Sequence, residues 1–154
     1  MVLPKDKVTQ CVSENENNYT KLTNWSDGGN HAYRRPCIGG ASGVGEITIS
    51  HGGLYIFYDH LAVCRCTPDF RQRVVHRPAR TGQRPRPLLE DRRSAPPDGS
   101  PRGGEGCAGE PAFASDLFGL VRLEDGDSVW IEARPASAIH RPNGASFFGL
   151  YRLQ

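Results

Sequence analysis

Apolar positions in this chain alternate with period two wherever they cluster, and no segment keeps a helical period over three turns. From Gly45 to Ser50, GEITIS sets Ile47 and Ile49 on one face and Glu46 and Thr48 on the other, the pattern of a half-buried strand. After the HGG turn, LYIFYDHLAV splits into Leu54, Ile56, Tyr58, His60 and Ala62 on one face and Tyr55, Phe57, Asp59, Leu61 and Val63 on the other. Both faces call for burial, yet the run is too short to cross a membrane as a helix. Further strands are predicted over 71–77 (RQRVVHR) and 86–90 (RPLLE), and over Leu117–Leu123 and Ser128–Ala133, which the EDGD turn joins. The chain ends on another, SFFGLYRL. Residues 1–43 are polar and rich in turns, with Gly28-Gly29 and Gly39-Gly40 breaking any period, and predict one weak strand around Lys21 to Trp25. From Asp91 to Pro111 the chain is dense in Pro, Gly and Arg without apolar periodicity and predicts a long loop. The expectation is a single all-β domain over 21–154, preceded by a polar segment, 1–20, that holds at most a divergent first strand.

Composition refines this picture at a few points. A length of 154 residues suits one domain with a proper core, and 18 Gly with 12 Pro favour strands and turns. Net charge is only +2, so no strong field points to nucleic acid. Five cysteines, Cys11, Cys37, Cys64, Cys66 and Cys107, exceed what a cytosolic domain of this size needs and are all disulfide candidates, with one left free or paired between chains. Two N-glycosylation sequons, NYT at Asn18 and NWS at Asn24, agree with an extracellular location. The N-terminus MVLPKDKVTQ has no apolar core of signal-peptide length, so a signal or anchor is expected upstream of this chain.

The candidate chemistry is thin. Ser50, His51, Asp59 and His60 could be drawn into a triad, but Ser50 lies in no nucleophile elbow, and Asp59 and His60 point to opposite faces of one strand. His60, Cys64 and Cys66 share a parity that could bring them to a metal, although disulfide cysteines beside a packed histidine explain them more simply. No catalytic residue, cofactor or metal is assigned, and the chain is not read as an enzyme. Nine of the sixteen arginines fall between Arg71 and Arg102, a basic run that allows sulfated glycans as a partner.

GEITISHGGLYIFYDHLAV, GLVRLEDGDSVWI and the terminal FFGLYRL, in that order and spacing, resemble the homology domain of the tumour necrosis factor (TNF) ligand superfamily. With NWS at 24–26 ahead of them, the likeness is greatest to ectodysplasin-type and insect Eiger-type ligands. It implies a two-sheet jelly-roll sandwich of the kind shared with complement-type globular heads, assembled as a homotrimer. Ile56, Tyr58, His60, Phe147 and Tyr151 would then face the trimer seam, and Tyr55, Phe57, Leu61, Phe148 and Leu150 the core. An unpartnered His60 at that seam would make assembly acid-sensitive. The implied activity is that of a cytokine, secreted or shed from a type II membrane precursor, which clusters cysteine-rich TNF-receptor-family receptors. Receptor contacts would come from Arg34, Arg35, Arg77, Arg80, Arg84, His140 and Arg141 in loops at the protomer boundary. Cys107 matches a family cysteine, with Cys64 or Cys66 as its candidate partner. Two departures stand out: residues 1–22 lack the family's histidine-leucine strand, and Asp116 stands where several relatives carry an aromatic residue. The rival readings are a complement-type recognition head and a glycan-binding structural module.

Overall fold

The computed structural model describes residues 18–23, 25, 38–41, 45–63, 69–94, 113–139 and 146–153. They form nine strands, β1 (Thr20–Lys21), β2 (Ile38–Ala41), β3 (Glu46–Ile49), β4 (Gly53–Val63), β5 (Asp69–Arg77), β6 (Arg86–Ser94), β7 (Phe113–Leu123), β8 (Ser128–Arg134) and β9 (Phe147–Arg152), with one 3-10 turn at Ala136–Ala138. All pairings are antiparallel. One sheet runs β2-β3-β8-β5-β6, with β1 beside β3 on the same edge of β8; the other runs β7-β4-β9. The two sheets face each other as a sandwich.

Alternation decides what lies between them. Tyr55, Phe57, Leu61 and Val63 of β4 meet Phe70 and Val74 of β5, Leu117, Val121 and Leu123 of β7, Val129 and Ile131 of β8, and Phe148 and Leu150 of β9 in one buried cluster. Ile47 and Ile49 join it from β3, as their alternation predicts. Leu22 and Trp25 plug one end: the Trp25 ring meets Phe148 edge-on at 4.6 Å, and its indole N–H donates to the Leu22 carbonyl. The weak strand expected over 21–25 is thus only two residues long, and its apolar members act as a plug.

Two expectations from sequence fail here. The stretch after residue 90 does not begin as a loop, because β6 continues to Ser94. Its charged residues hold the strand through partners on neighbouring elements: Arg92 bonds Asp69, and Asp91 accepts from Ser115 of β7. Gly39-Gly40 does not break structure either, but lies within β2, an edge strand held to β3 by its backbone ladder. The remaining predicted strands are present, β5 and β7 starting earlier than expected at Asp69 and Phe113.

One polar group interrupts the core. Asp59, only 4% exposed, accepts hydrogen bonds at Oδ1 from Gln72 Nε2 (3.0 Å) and the Leu117 amide (2.9 Å). Gln72 also donates to Ser115, which donates to Asp91. The chain of bonds therefore joins β4, β5, β7 and β6 across the sandwich. Burial raises the Asp59 pKa from 3.8 to about 7, against the pull of its two donors, with the charges of Asp116 and Asp91 adding to the rise. A carboxyl whose folded pKa is raised contributes most stability when protonated, and that contribution is lost as pH climbs from about 4 through about 7. Such a displacement corresponds to a preference of on the order of 4 kcal/mol for the neutral form. Asp59→Asn keeps the acceptor without the charge. It should unfold at higher denaturant than wild type at pH 8, with the difference shrinking towards pH 5, as chemical denaturation at both pH values would show.

Candidate functional site

The outer face of the β7-β4-β9 sheet has an unusual composition for a surface. In register across it lie Asp116, Phe118, Leu120 and Arg122 of β7, then His60, Tyr58, Ile56 and Leu54 of β4, then Phe147, Gly149 and Tyr151 of β9. Phe118 is 72% exposed and Leu120 61%, and Tyr58, Phe147 and Tyr151 are also exposed. Among the described residues, the outer face of β4 is left partly open from Leu54 to His60, while Ala62 beyond them is buried. The opposite parity is fully committed to the core, with Tyr55 and Phe57 inaccessible.

This face brings together the five residues expected at the trimer seam: Ile56, Tyr58, His60, Phe147 and Tyr151. It adds Phe118 and Leu120, which sequence reasoning missed. Their signal was available, since Leu117, Val121 and Leu123 share the core parity and leave residues 118 and 120 pointing outward. Gly119 hid the alternation by standing at a core-parity position, where the Leu89 methyl groups of β6 occupy the space a Cβ would need.

Asp116 is explained by its register. It lies directly opposite His60, whose Nδ1 is 2.6 Å from the Asp116 carboxylate, while the imidazole stacks on Phe147 with centroids 5.3 Å apart. The condition for acid-sensitive assembly, an imidazole without a partner, is not met. Polar groups sit at one end of the face and Arg122 at the other, leaving the apolar rings between them.

At one end of the sandwich, the EDGD turn and the 78–85 loop are fastened by a single carboxylate. Asp127, 3% exposed, accepts hydrogen bonds from the Ala79 and Glu124 amides, and its Oδ2 lies 2.7 Å from His76 Nε2. Burial pushes its pKa up, but the Glu124 and Ala79 amides and His76 outweigh that and hold it below the ordinary carboxylate range. Gly126 takes the left-handed conformation (φ 83°) that the turn requires, and its amide bonds the Ile49 carbonyl. The loop so anchored carries Arg80 and Arg84, both exposed.

Among the described residues, most arginines of the basic run have a carboxylate partner. Arg71 and Arg92 share Asp69, Arg73 pairs with Glu132, Arg77 with Glu46, Arg80 with Glu124 and Arg93 with Asp91. Arg77 also lies over the Trp130 ring, which ties it to the sheet rather than freeing it for a partner. Asn18 is exposed, as a glycan acceptor must be. Arg34, Arg35, His140, Arg141, Asn24 and all five cysteines lie outside the described residues. No helix among the described residues is long and apolar enough to cross a membrane.

No protein-family model and no curated protein sequence matches this chain. Solved structures do match, among them the crystal structure of murine APRIL at pH 5.0, a TNF-superfamily ligand, with a TM-score of 0.60. The alignment covers 78% of this chain and 80% of that one at 17% identity. The fold is a TNF-like jelly roll. In that jelly roll the exposed aromatic face and the anchored 78–85 loop are separate surfaces, one on a sheet face and the other a loop at the sandwich end.

Removing the Asp127 carboxylate would leave two amides and an imidazole without their acceptor. Asp127→Ala should cost on the order of 3 kcal/mol in denaturant unfolding and open the loop to trypsin at Arg80.

Proposed function

We propose that this chain is the receptor-binding head of an extracellular, TNF-like cytokine that acts as a homotrimer. The observation that carries the reading is the uncovered face of the β7-β4-β9 sheet. Side chains as large as Phe118, Leu120 and Tyr58 rarely gather on one sheet face of a soluble monomer without a partner to cover them. A ring of aromatic groups suits a tight seam, since each Tyr or Phe can remove roughly 150–250 Å² from water. Three copies arranged head-to-tail around an axis close on themselves, so every copy buries the face and none is left to propagate. The likeness of the fold to murine APRIL supports this choice of partner, a further copy of the chain, over an unrelated protein.

Within that group the order of the NWS, GLYIFY and FFG motifs supports an ectodysplasin-type or Eiger-type ligand. The cytokine would signal by clustering cysteine-rich receptors of the TNF-receptor family at the boundaries between protomers. Of the arginines expected to meet a receptor, Arg80 and Arg84 are the best placed among the described residues, on an anchored and exposed loop. Charge there sets the rate of encounter and the choice of partner more than raw affinity.

The two halves of this reading are tested separately. Phe118→Ser removes a ring that the folded monomer does not bury, so the variant should fold but elute as a monomer where wild type elutes as a trimer; a trimeric Phe118→Ser protein would remove this face from the seam. Arg80→Glu should leave the trimer intact and weaken capture by TNF-receptor-family ectodomains at least tenfold, and unchanged capture across a panel of them would take the loop out of the receptor interface.

A further inference from the structure

Gly149 lies in the middle of β9, directly opposite Tyr58 of β4. Glycine there is not required by the backbone: the described glycines with positive φ are Gly45, Gly82 and Gly126. Space is the constraint instead. A Cβ built on Gly149 would fall against the Tyr58 hydroxyl and within 2.6 Å of its Cζ, so the tip of that ring lies over the glycine. On β9 the neighbours of Gly149 on the same face are Phe147 and Tyr151, which pair with His60 and Ile56. The Tyr58 ring therefore leans across from β4 and fills the gap between them. Phe147, the Tyr58 ring and Tyr151 form one aromatic strip along β9, although β9 itself supplies only two of the three rings.

From this geometry we infer that Gly149 is a positioning residue for the seam: by leaving no side chain, it lets Tyr58 lie flat and makes the face smooth enough for a second copy to dock. The inference rests on reading this face as the seam between copies. Any side chain at 149 lifts the Tyr58 ring off β9, which raises a bump and uncovers backbone on the surface that must be complementary. The monomer tolerates this, because Tyr58 is 41% exposed and can swing into solvent. A glycine with no such role would behave in the opposite way, since alanine at an ordinary strand position is less costly to order than glycine.

The test is a double-mutant cycle on the intact chain, with association followed by sedimentation over a dilution series and folding by circular dichroism. Gly149→Ala should fold and associate at least tenfold more weakly than wild type. Tyr58→Ala should weaken association to a similar degree, and adding Gly149→Ala to it should cost less than a further threefold, because no ring remains to be displaced. Losses that multiply in the double variant would overturn the inference, as would undiminished association in Gly149→Ala. If Gly149→Ala fails to fold, recovery of the fold in the double variant supports the coupling, and continued misfolding overturns it. A wild-type chain that stays monomeric at every concentration defeats the trimer reading itself, which the wild-type arm reports separately.

Discussion

Strand β4 is hydrogen-bonded along both edges, to β7 over its whole length and to β9 from Tyr55 to His60. That double pairing fixes its register, and the register decides everything on either side of it. A slip of one residue would send Tyr55, Phe57 and Leu61 to the surface and bring Tyr58 and His60 into the core. The inner parity is anchored by a core of aromatic and branched side chains from five other strands. The outer parity inherits its position from that anchoring, so the aromatic face is a rigid consequence of the core and not a loop that could adapt.

The same register places a carboxyl where a carboxyl is costly. Asp59 shares the core parity of Phe57 and Leu61, and the strand cannot turn it outward without turning them outward too. Its cost is limited by Gln72 and the Leu117 amide on one oxygen and by the neutral form that burial favours. In return the Asp59-Gln72-Ser115-Asp91 chain fixes β5 and β6 against the β4-β7 pair, a directional link that purely apolar packing would not supply. At the other end of the molecule Asp127 performs a comparable role with its charge retained, because three donors surround it.

Strands that alternate cleanly were legible from sequence, while the choice of inward face on β4 and β9 came from the family resemblance. Tyr55, Phe57, Leu61, Phe148 and Leu150 are buried as their parity requires. The signal failed where strands are held by something other than apolar burial. The end of β6 is built from Asp91, Arg92 and Arg93, whose ion pairs with β5 and within β6 cannot be read as a period. An edge strand such as β2 is held by its backbone ladder, which Gly39-Gly40 can form despite the entropic cost of ordering glycine. At the candidate site, the outward positions of β4 and β9 were legible, but their mutual arrangement was not. The partnership of His60 with Asp116 depends on the β4-β7 register, and the fit of Tyr58 over Gly149 on the β4-β9 register. Both are pairings between distant segments, which no local pattern encodes.

Aromatic rings lie on both outer faces of the sandwich, so aromatic content alone does not single out the face proposed to meet another copy. What distinguishes it is how the rings are capped. On the larger sheet Lys21 and Arg77 lie over Trp130 at 4.8 and 5.0 Å, and Arg73 and Arg134 over Tyr19 at 3.9 and 5.4 Å. Glu46 pairs with Lys21 and Arg77 and Glu132 with Arg73, and Lys21 and Arg77 hold the Glu46 carboxyl below its ordinary range against the effect of burial. These rings are shielded by groups that water solvates well, which removes the drive to dock. On the smaller sheet the polar groups of Asp116, His60 and Arg122 stand at the ends, and the middle, from Phe118 and Leu120 to Tyr58, is left to water. Burial of that middle is favourable while burial of its ends is not. A partner that covers the centre must leave the ends solvated or matched, which restricts docking to few registers.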